Sequence, residues 1–330
     1  MRIAFLGKGG AGKTTTAAGF VKYVAKRKPF VLAVDADVNA HLKGALHLQN
    51  VTGDEHQLGE MCDDIFTYVR GARKDLGDRH FIGTTPPSLE STFVRPIPSD
   101  PFVSKYAQKS GNIALLTVGT YNESDVGGSC YHTKLRGLAA LFHHLLDSDH
   151  DVVVADTTAG TDNVATSLSF AYDVNVFVVE PTEKSVRVYG DFLKVAPHLT
   201  NRTYVIANKV DNEVDASFIN DHIPAERILG AIPHSRHLKR FEQGERASLE
   251  YFQAEQEATF ERVFDVLTNT ARDWSGYLAL LRATHEKVCR DWYNDFYGQK
   301  LDADLDPNFT YQKALARLCP VNPERSPLLA

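Results

Sequence analysis

Residues 7–16 read "GKGGAGKTTT", behind the apolar-rich run "RIAFLG" (2–7) and ahead of a stretch with helical spacing. Gly7, Gly12, Lys13 and Thr14 complete the pattern G-x-x-x-x-G-K-[ST] between an expected strand and an expected helix. Gly9, Gly10, Ala11, Gly12, Lys13, Thr14 and Thr15 would form a phosphate cradle. Backbone N–H groups converge on the oxygens of a nucleotide, and the helix N-terminus adds a favourable dipole. Lys13 is placed to bind the β- and γ-phosphates, and the Thr14 hydroxyl to coordinate Mg²⁺. Lys8 is a second cation that one phosphate site does not require.

Working outward, five more short apolar runs follow at wide intervals: "FVLAVD" (30–35), "NIALLTVG" (112–119), "DVVVAD" (151–156), "VNVFVVE" (174–180) and "TYVIANK" (203–209). Helical stretches are expected between runs, at 13–27, 133–146, 163–171 and 183–196. Near-continuous apolar strands separated by helix-length segments predict a doubly wound α/β fold with a mostly parallel sheet. Ligands of such a sheet sit at the carboxyl ends of its strands. Two regions break the alternation: an insertion at 42–111, rich in Pro, Ser and Thr near its end, and a helical, aromatic-rich C-terminal extension. The expected organisation is a nucleotide-binding domain over 1–248 and the extension over 249–330. Trp274, Tyr277, Trp292, Tyr293, Phe296 and Tyr297 either pack helices or form a docking surface for a client.

Two strand ends carry carboxylates. Asp35 ends the second run, and Asp37 opens the loop after it, where a carboxylate can orient water or hold metal-bound water. Asp156 ends "DVVVAD" in a Walker-B-like position and is expected to face Mg²⁺, directly or through water. Gly160 follows where backbone approach to a γ-phosphate would let a switch loop sense ATP against ADP. "IANKVD" (206–211) contains N-K-x-D, which reads guanine in GTPases, so GTP stays open beside ATP.

The loop "KGGAGKTT" resembles that of the deviant Walker A ATPases, a group including the MinD and ParA proteins, the nitrogenase iron protein and nickel-insertion ATPases. The resemblance implies that Lys8 acts in trans on the nucleotide of a second subunit, in an ATP-dependent homodimer. It makes Asp37 the water-orienting residue and Asp35 its support. It places Asn208 on adenine, with "LGAIPHS" (229–235), around Pro233, closing over the base. "VGTYNESDVGGSCYHTKLRGLAALFHHLL" (118–146) is similar to the CooC-like carbon-monoxide-dehydrogenase maturation ATPases, and "VDADVNAHL" to their "VDADPNANL". This likeness covers about residues 1–250. Their C-x-C is here Cys130-Tyr131-His132. In that family the motif binds metal at the dimer interface, so Cys130 and His132 from two subunits could hold Zn or Ni. Residues two apart in an extended segment point the same way. His143 and His144 are neighbours on a helix and cannot share one face.

The chain has 330 residues and a formal charge of −6 at pH 7, so no global basic field recruits nucleic acid or anionic lipid. Four scattered cysteines and no run long enough to span a bilayer suit a reducing, cytoplasmic setting. The expected activity is slow Mg²⁺-dependent ATP hydrolysis driving a dimer switch, with a protein client, as a maturation or metal-insertion factor. A ParA/MinD-like positioning ATPase and a GTPase metallochaperone are the alternatives.

Overall fold

The computed structural model describes residues 1–48, 50–123, 131–160, 166–245, 247–303 and 305–318. Eight strands form one sheet: β1 Arg2–Gly7, β2 Val31–Ala36, β3 Gln108–Ser110, β4 Ile113–Thr117, β5 Val152–Thr157, β6 Val174–Val179, β7 Thr203–Asn208 and β8 Ile228–Ile232. Their spatial order is β3-β4-β2-β5-β1-β6-β7-β8, all parallel except β3, which runs against β4. The expected doubly wound α/β sheet is what forms, and the six apolar runs are six of its strands. Every residue of β1, β2, β5 and β6 is buried, because helices cover both faces.

In chain order the helices are α1 Lys13–Ala25, α2 Leu42–Leu46, α3 Cys62–Arg70, α4 Pro101–Tyr106, α5 Tyr131–His143, α6 Glu183–Val195, α7 Glu213–His222, α8 Arg236–Glu242, α9 Ser248–Glu255, α10 Glu257–Asn269, α11 Trp274–Val288, α12 Asn294–Tyr297 and α13 Tyr311–Leu318. A helix over 163–171 is not what the described part of that segment shows. Ser167–Phe170 form a 3₁₀ turn, with the Thr166 hydroxyl accepting from the Leu168 N–H.

Successive strand residues feed two separate cores. Ile3 and Phe5 face Phe20 of α1, Phe252 of α9 and Phe260 of α10. Ala4 and Leu6 face the other layer, which holds Ile65 of α3, Leu138 of α5, Phe192 of α6 and Leu281 of α11. The insertion contributes Leu58, Ile65, Phe66, Val69, Phe81 and Val94 to that second core, so it is packed structure over α5. The C-terminal helices divide, α9 and α10 joining the α1 face and α11 and α13 the α5 face.

At the end of the sheet where β1, β5 and β6 begin lies a buried charge network. Asp147 accepts from the Met1 ammonium at 2.6 Å, from Arg2 Nε at 2.9 Å and from Arg272 Nη1 at 2.6 Å. Asp173 accepts from the Arg2 N–H at 2.7 Å and from Arg272 Nε at 2.6 Å. The Arg2 guanidinium also donates to the Phe142 and Leu145 carbonyls at 2.8 and 2.6 Å. Among the described residues, no helix is long and apolar enough to cross a membrane.

Candidate functional site

The opposite end of the sheet, where β1, β2, β5, β6 and β7 stop, carries the polar motifs. Leaving β1, the chain turns through Gly7 and Gly12, at φ +145° and +94°. A Cβ on Gly12 would sit 2.3 Å from Asn208 Nδ2, and one on Gly7 would sit 2.5 Å from the Val178 carbonyl oxygen. Both positions therefore admit only glycine. Ala11 N–H closes the loop onto the Lys8 carbonyl at 3.1 Å. Asn208, ending β7, donates from Nδ2 to the Ala11 carbonyl at 2.7 Å and so braces the loop. On the other flank, Gly160 N–H donates to the Gly7 carbonyl at 3.0 Å, tying the segment after β5 to the same loop.

Three carboxylates gather on the β5/β2 side. Asp35 is fully buried, accepting from the Leu42 N–H at 2.8 Å and the Asp37 N–H at 3.3 Å. It thereby shapes the loop that presents Asp37. Burial raises its pKa to about 7, against the pull of those two N–H groups. Asp37 accepts from the Asn39 N–H and side-chain amide at 2.9 and 2.8 Å through Oδ1. Its Oδ2 lies 3.8 Å from Lys13 Nζ.

Asp156 is 0% exposed, and among the described residues neither of its oxygens has a hydrogen bond of good geometry. Burial pushes its pKa up to about 8, opposed chiefly by the Thr14 hydroxyl and, less, by Lys13. A buried carboxylate beside a hydroxyl is a donor set that fits a hard divalent cation, and Thr14 and Asp156 are the residues that would hold Mg²⁺ here.

The β6/β7 side carries a grouping absent from the sequence reading. Glu180, just past β6, accepts from Lys8 Nζ at 3.0 Å through one oxygen and from Lys209 Nζ through the other. Lys8 Nζ also donates to the Gly9 carbonyl at 3.2 Å, and Lys209 Nζ to the Gly10 carbonyl at 3.0 Å. Burial would raise the Glu180 pKa, but the Lys209 and Lys8 ammonium groups outweigh it and hold the carboxyl below its usual range. Within one chain, then, Lys8 leans on Glu180. The only sequence signal was a single charge closing the apolar run "VNVFVVE".

Asp211, last residue of N-K-x-D, has both oxygens engaged. It accepts from the His234 N–H at 2.8 Å and bonds His234 Nδ1 at 2.6 Å. Those two bonds hold its pKa below the usual carboxylate range. They also fasten the segment around the exposed Pro233 to the end of β7. The stretch "LGAI", taken by resemblance with the segment that closes over the base, lies within strand β8, and Pro233 follows just past its end.

Tyr131 is another residue the sequence did not single out. It opens α5, and its hydroxyl donates to the Gly119 carbonyl at 3.3 Å. Burial raises its pKa, as do the negative charges of Asp35 and Asp37. Tyr131 and His132 lie in the first described turn of α5, so His132 is helical. Cys130 lies outside the described residues. Among the described residues, no group of three or more His, Cys, Asp and Glu side chains is arranged to hold a metal. His132 and Arg136 of α5 instead line a cleft of about 760 Å³ with Ser167, Lys287 and Trp292.

His143 and His144 are both fully buried. His143 bonds the Tyr277 hydroxyl at 2.6 Å and the Ser167 hydroxyl at 2.7 Å, whereas His144 bonds the Ala140 carbonyl at 2.8 Å. The C-terminal aromatics split in the same spirit. Tyr277 is buried and Trp274 stacks on Tyr311, but Trp292 and Phe296 are 73% and 79% exposed.

A family model described as the CobQ/CobB/MinD/ParA nucleotide binding domain matches residues 3–247. An uncharacterized ATP-binding protein of Methanocaldococcus jannaschii is 30% identical over 246 residues, covering 73% of this chain and 88% of that protein. The carbon monoxide dehydrogenase accessory protein CooC of Rhodospirillum rubrum is 28% identical over 234 residues, covering 71% of this chain and 83% of its own length. Among solved structures, apo McdA of Cyanothece superposes with a TM-score of 0.51 at 18% identity, over 81% of this chain and 98% of that one. That last likeness is one of fold.

Proposed function

The chain belongs to the CobQ/CobB/MinD/ParA nucleotide-binding family of P-loop ATPases, and we propose that it hydrolyses ATP with Mg²⁺ to switch between a monomer and an ATP-bound homodimer. The observation that carries this reading is the convergence of Lys13, Asp37, Thr14 and a buried Asp156 at one end of β1, β2 and β5. When bound, Mg²⁺ would neutralise phosphate charge. Lys13 and the loop N–H groups hold the β- and γ-phosphates, and Asp37 orients the attacking water. Gly160, hydrogen-bonded to the Gly7 carbonyl, is assigned to register whether a γ-phosphate is there, exchanging that bond for one to the phosphate.

Adenine fits better than guanine. The Asp211 carboxylate that would accept from guanine is occupied by His234, while Asn208 keeps its side-chain carbonyl available for an adenine amino group. Pro233, exposed and next to the His234 that bonds Asp211, is assigned to flank the base. Lys8 is assigned to the nucleotide of the partner subunit, adding positive charge in trans as an arginine finger does. The role as a maturation or metal-insertion factor for another enzyme is supported by the similarity to CooC. The client would be a protein, met through the exposed Trp292 and Phe296.

Light scattering with the β,γ-imido analogue of ATP and Mg²⁺ tests the switch. The mass is expected to double with the analogue, to stay monomeric with ADP, and to stay monomeric with both nucleotides in Lys8→Ala. An unchanged wild-type mass would remove the switch. Asp156→Asn is expected to weaken Mg²⁺ stimulation of turnover by roughly 10–100-fold in metal concentration. Magnesium titrations of phosphate release would measure it, and an unchanged midpoint would take Asp156 out of the metal site.

A further inference from the structure

We propose that Glu180 is the positioning residue for Lys8: it holds the Lys8 ammonium on the β6 side of the phosphate loop until a second, nucleotide-loaded subunit competes for it. The proposal rests on the reading of Lys8 as a residue acting in trans.

The sheet order sets up the argument. β1 lies between β5 and β6, so the phosphate loop has two flanks. On the β5 flank stand Asp156 and, one strand further, Asp37. On the β6 flank stands Glu180, and it is this carboxylate that Lys8 meets. The Lys8 ammonium is therefore held on the flank away from Asp156 and Asp37.

Glu180 is built to do this. Its N–H donates to the Ser185 hydroxyl at 3.0 Å, and Thr182 caps α6 by accepting from the Ser185 N–H. The base of the side chain is thus fixed by the first turn of a 13-residue helix. The hold is also graded. One carboxylate serves two ammonium groups, Lys8 and Lys209, so neither has a full countercharge to itself. The Lys8 side chain retains 25% of its exposure, which leaves it open to exchange. A triphosphate arriving from a facing subunit brings several negative charges, and wins that exchange where a diphosphate brings fewer.

The test uses the full chain, the imido analogue of ATP with Mg²⁺, and the protein concentration at half-dimerisation, with thermal unfolding as a check on folding. Glu180→Gln keeps the shape and removes the charge, and is expected to lower that concentration about fivefold. Lys209→Met leaves Glu180 to Lys8 alone and is expected to raise it about twofold. Damage to the loop would move both variants the same way, so opposite shifts support the proposal and parallel shifts overturn it. If wild type dimerises, Lys8→Ala does not, and Glu180→Gln matches wild type, the trans reading stands and Glu180 has no such role. If Lys8→Ala dimerises like wild type, the trans reading fails and this proposal with it.

Discussion

Asp37→Asn lowers the steady-state rate of phosphate release by roughly 10²–10³-fold while ATP affinity moves by less than about threefold. The expectation comes from how the two oxygens are used. Oδ1 is committed to Asn39, through its N–H and its side chain, which fixes the plane of the carboxylate. Oδ2 is 3.8 Å from Lys13 Nζ, beyond a hydrogen bond, so it is near the phosphate lysine without being consumed by it. An asparagine keeps that shape but cannot accept a proton from water with the same strength. Fluorescent-nucleotide titration and a phosphate-release assay on the same preparation separate the two effects. Equal losses in affinity and rate would make Asp37 a general nucleotide contact and move the water-orienting role elsewhere.

The largest effect on stability is expected at the far end of the sheet. Asp147→Ala removes the shared countercharge of the Met1 ammonium, Arg2 and Arg272, with Arg2 entirely buried. Leaving such charges uncompensated costs about 3–5 kcal/mol. Urea unfolding should register that loss, and a change below about 1 kcal/mol would mean the network is solvated in practice. The pH dependence gives a second reading. Burial alone would raise the Asp147 pKa, but Arg2, Arg272 and the Met1 ammonium hold it well below the usual range. A carboxyl depressed in the folded state contributes stability above its unfolded pKa of about 3.9, and loses it as pH falls through the folded value. Wild type should therefore weaken on acidification below about pH 4 more steeply than Asp147→Ala does.

What the sequence could disclose follows the range of the interactions involved. The phosphate loop, Asp35, Asp37 and Asp156 were legible because each follows an apolar run by a fixed local offset. The same locality made six strands readable. β3 was missed because "QKS" is three polar residues on an edge, held only by its pairing with β4. β8 was missed as a strand because "LGAI" was read only by resemblance, with the segment that closes over the base, whereas its register with β7 makes it the opposite edge. Glu180 and Lys209 were invisible for a related reason: they stand 29 residues apart, and only the adjacency of β6 and β7 brings them together, with Glu180 also taking Lys8. Asp211 sits in a recognisable motif, but its engagement with His234 depends on how β8 returns beside β7. The insertion read as an irregular excursion because its order comes from α5 and the C-terminal helices. Arg79 donates to the Ala303 carbonyl at 2.5 Å, and His80 stacks on Tyr297.

The charge network also says something about the order in which the molecule can be made. Chains are synthesised from the N-terminus, and domains generally fold as they emerge. By residue 250 every side chain assigned here to the nucleotide has been delivered, from Lys8 to Pro233. Asp173 at that moment has the Arg2 N–H for company, and the guanidinium that makes it half of a buried ion pair arrives only with residue 272. The nucleotide-binding part of the chain gains this ion pair only once the segment after residue 250 is made. Nascent chains stalled before Arg272 should accordingly resist protease less well than chains stalled after it, at the strand ends farthest from ATP.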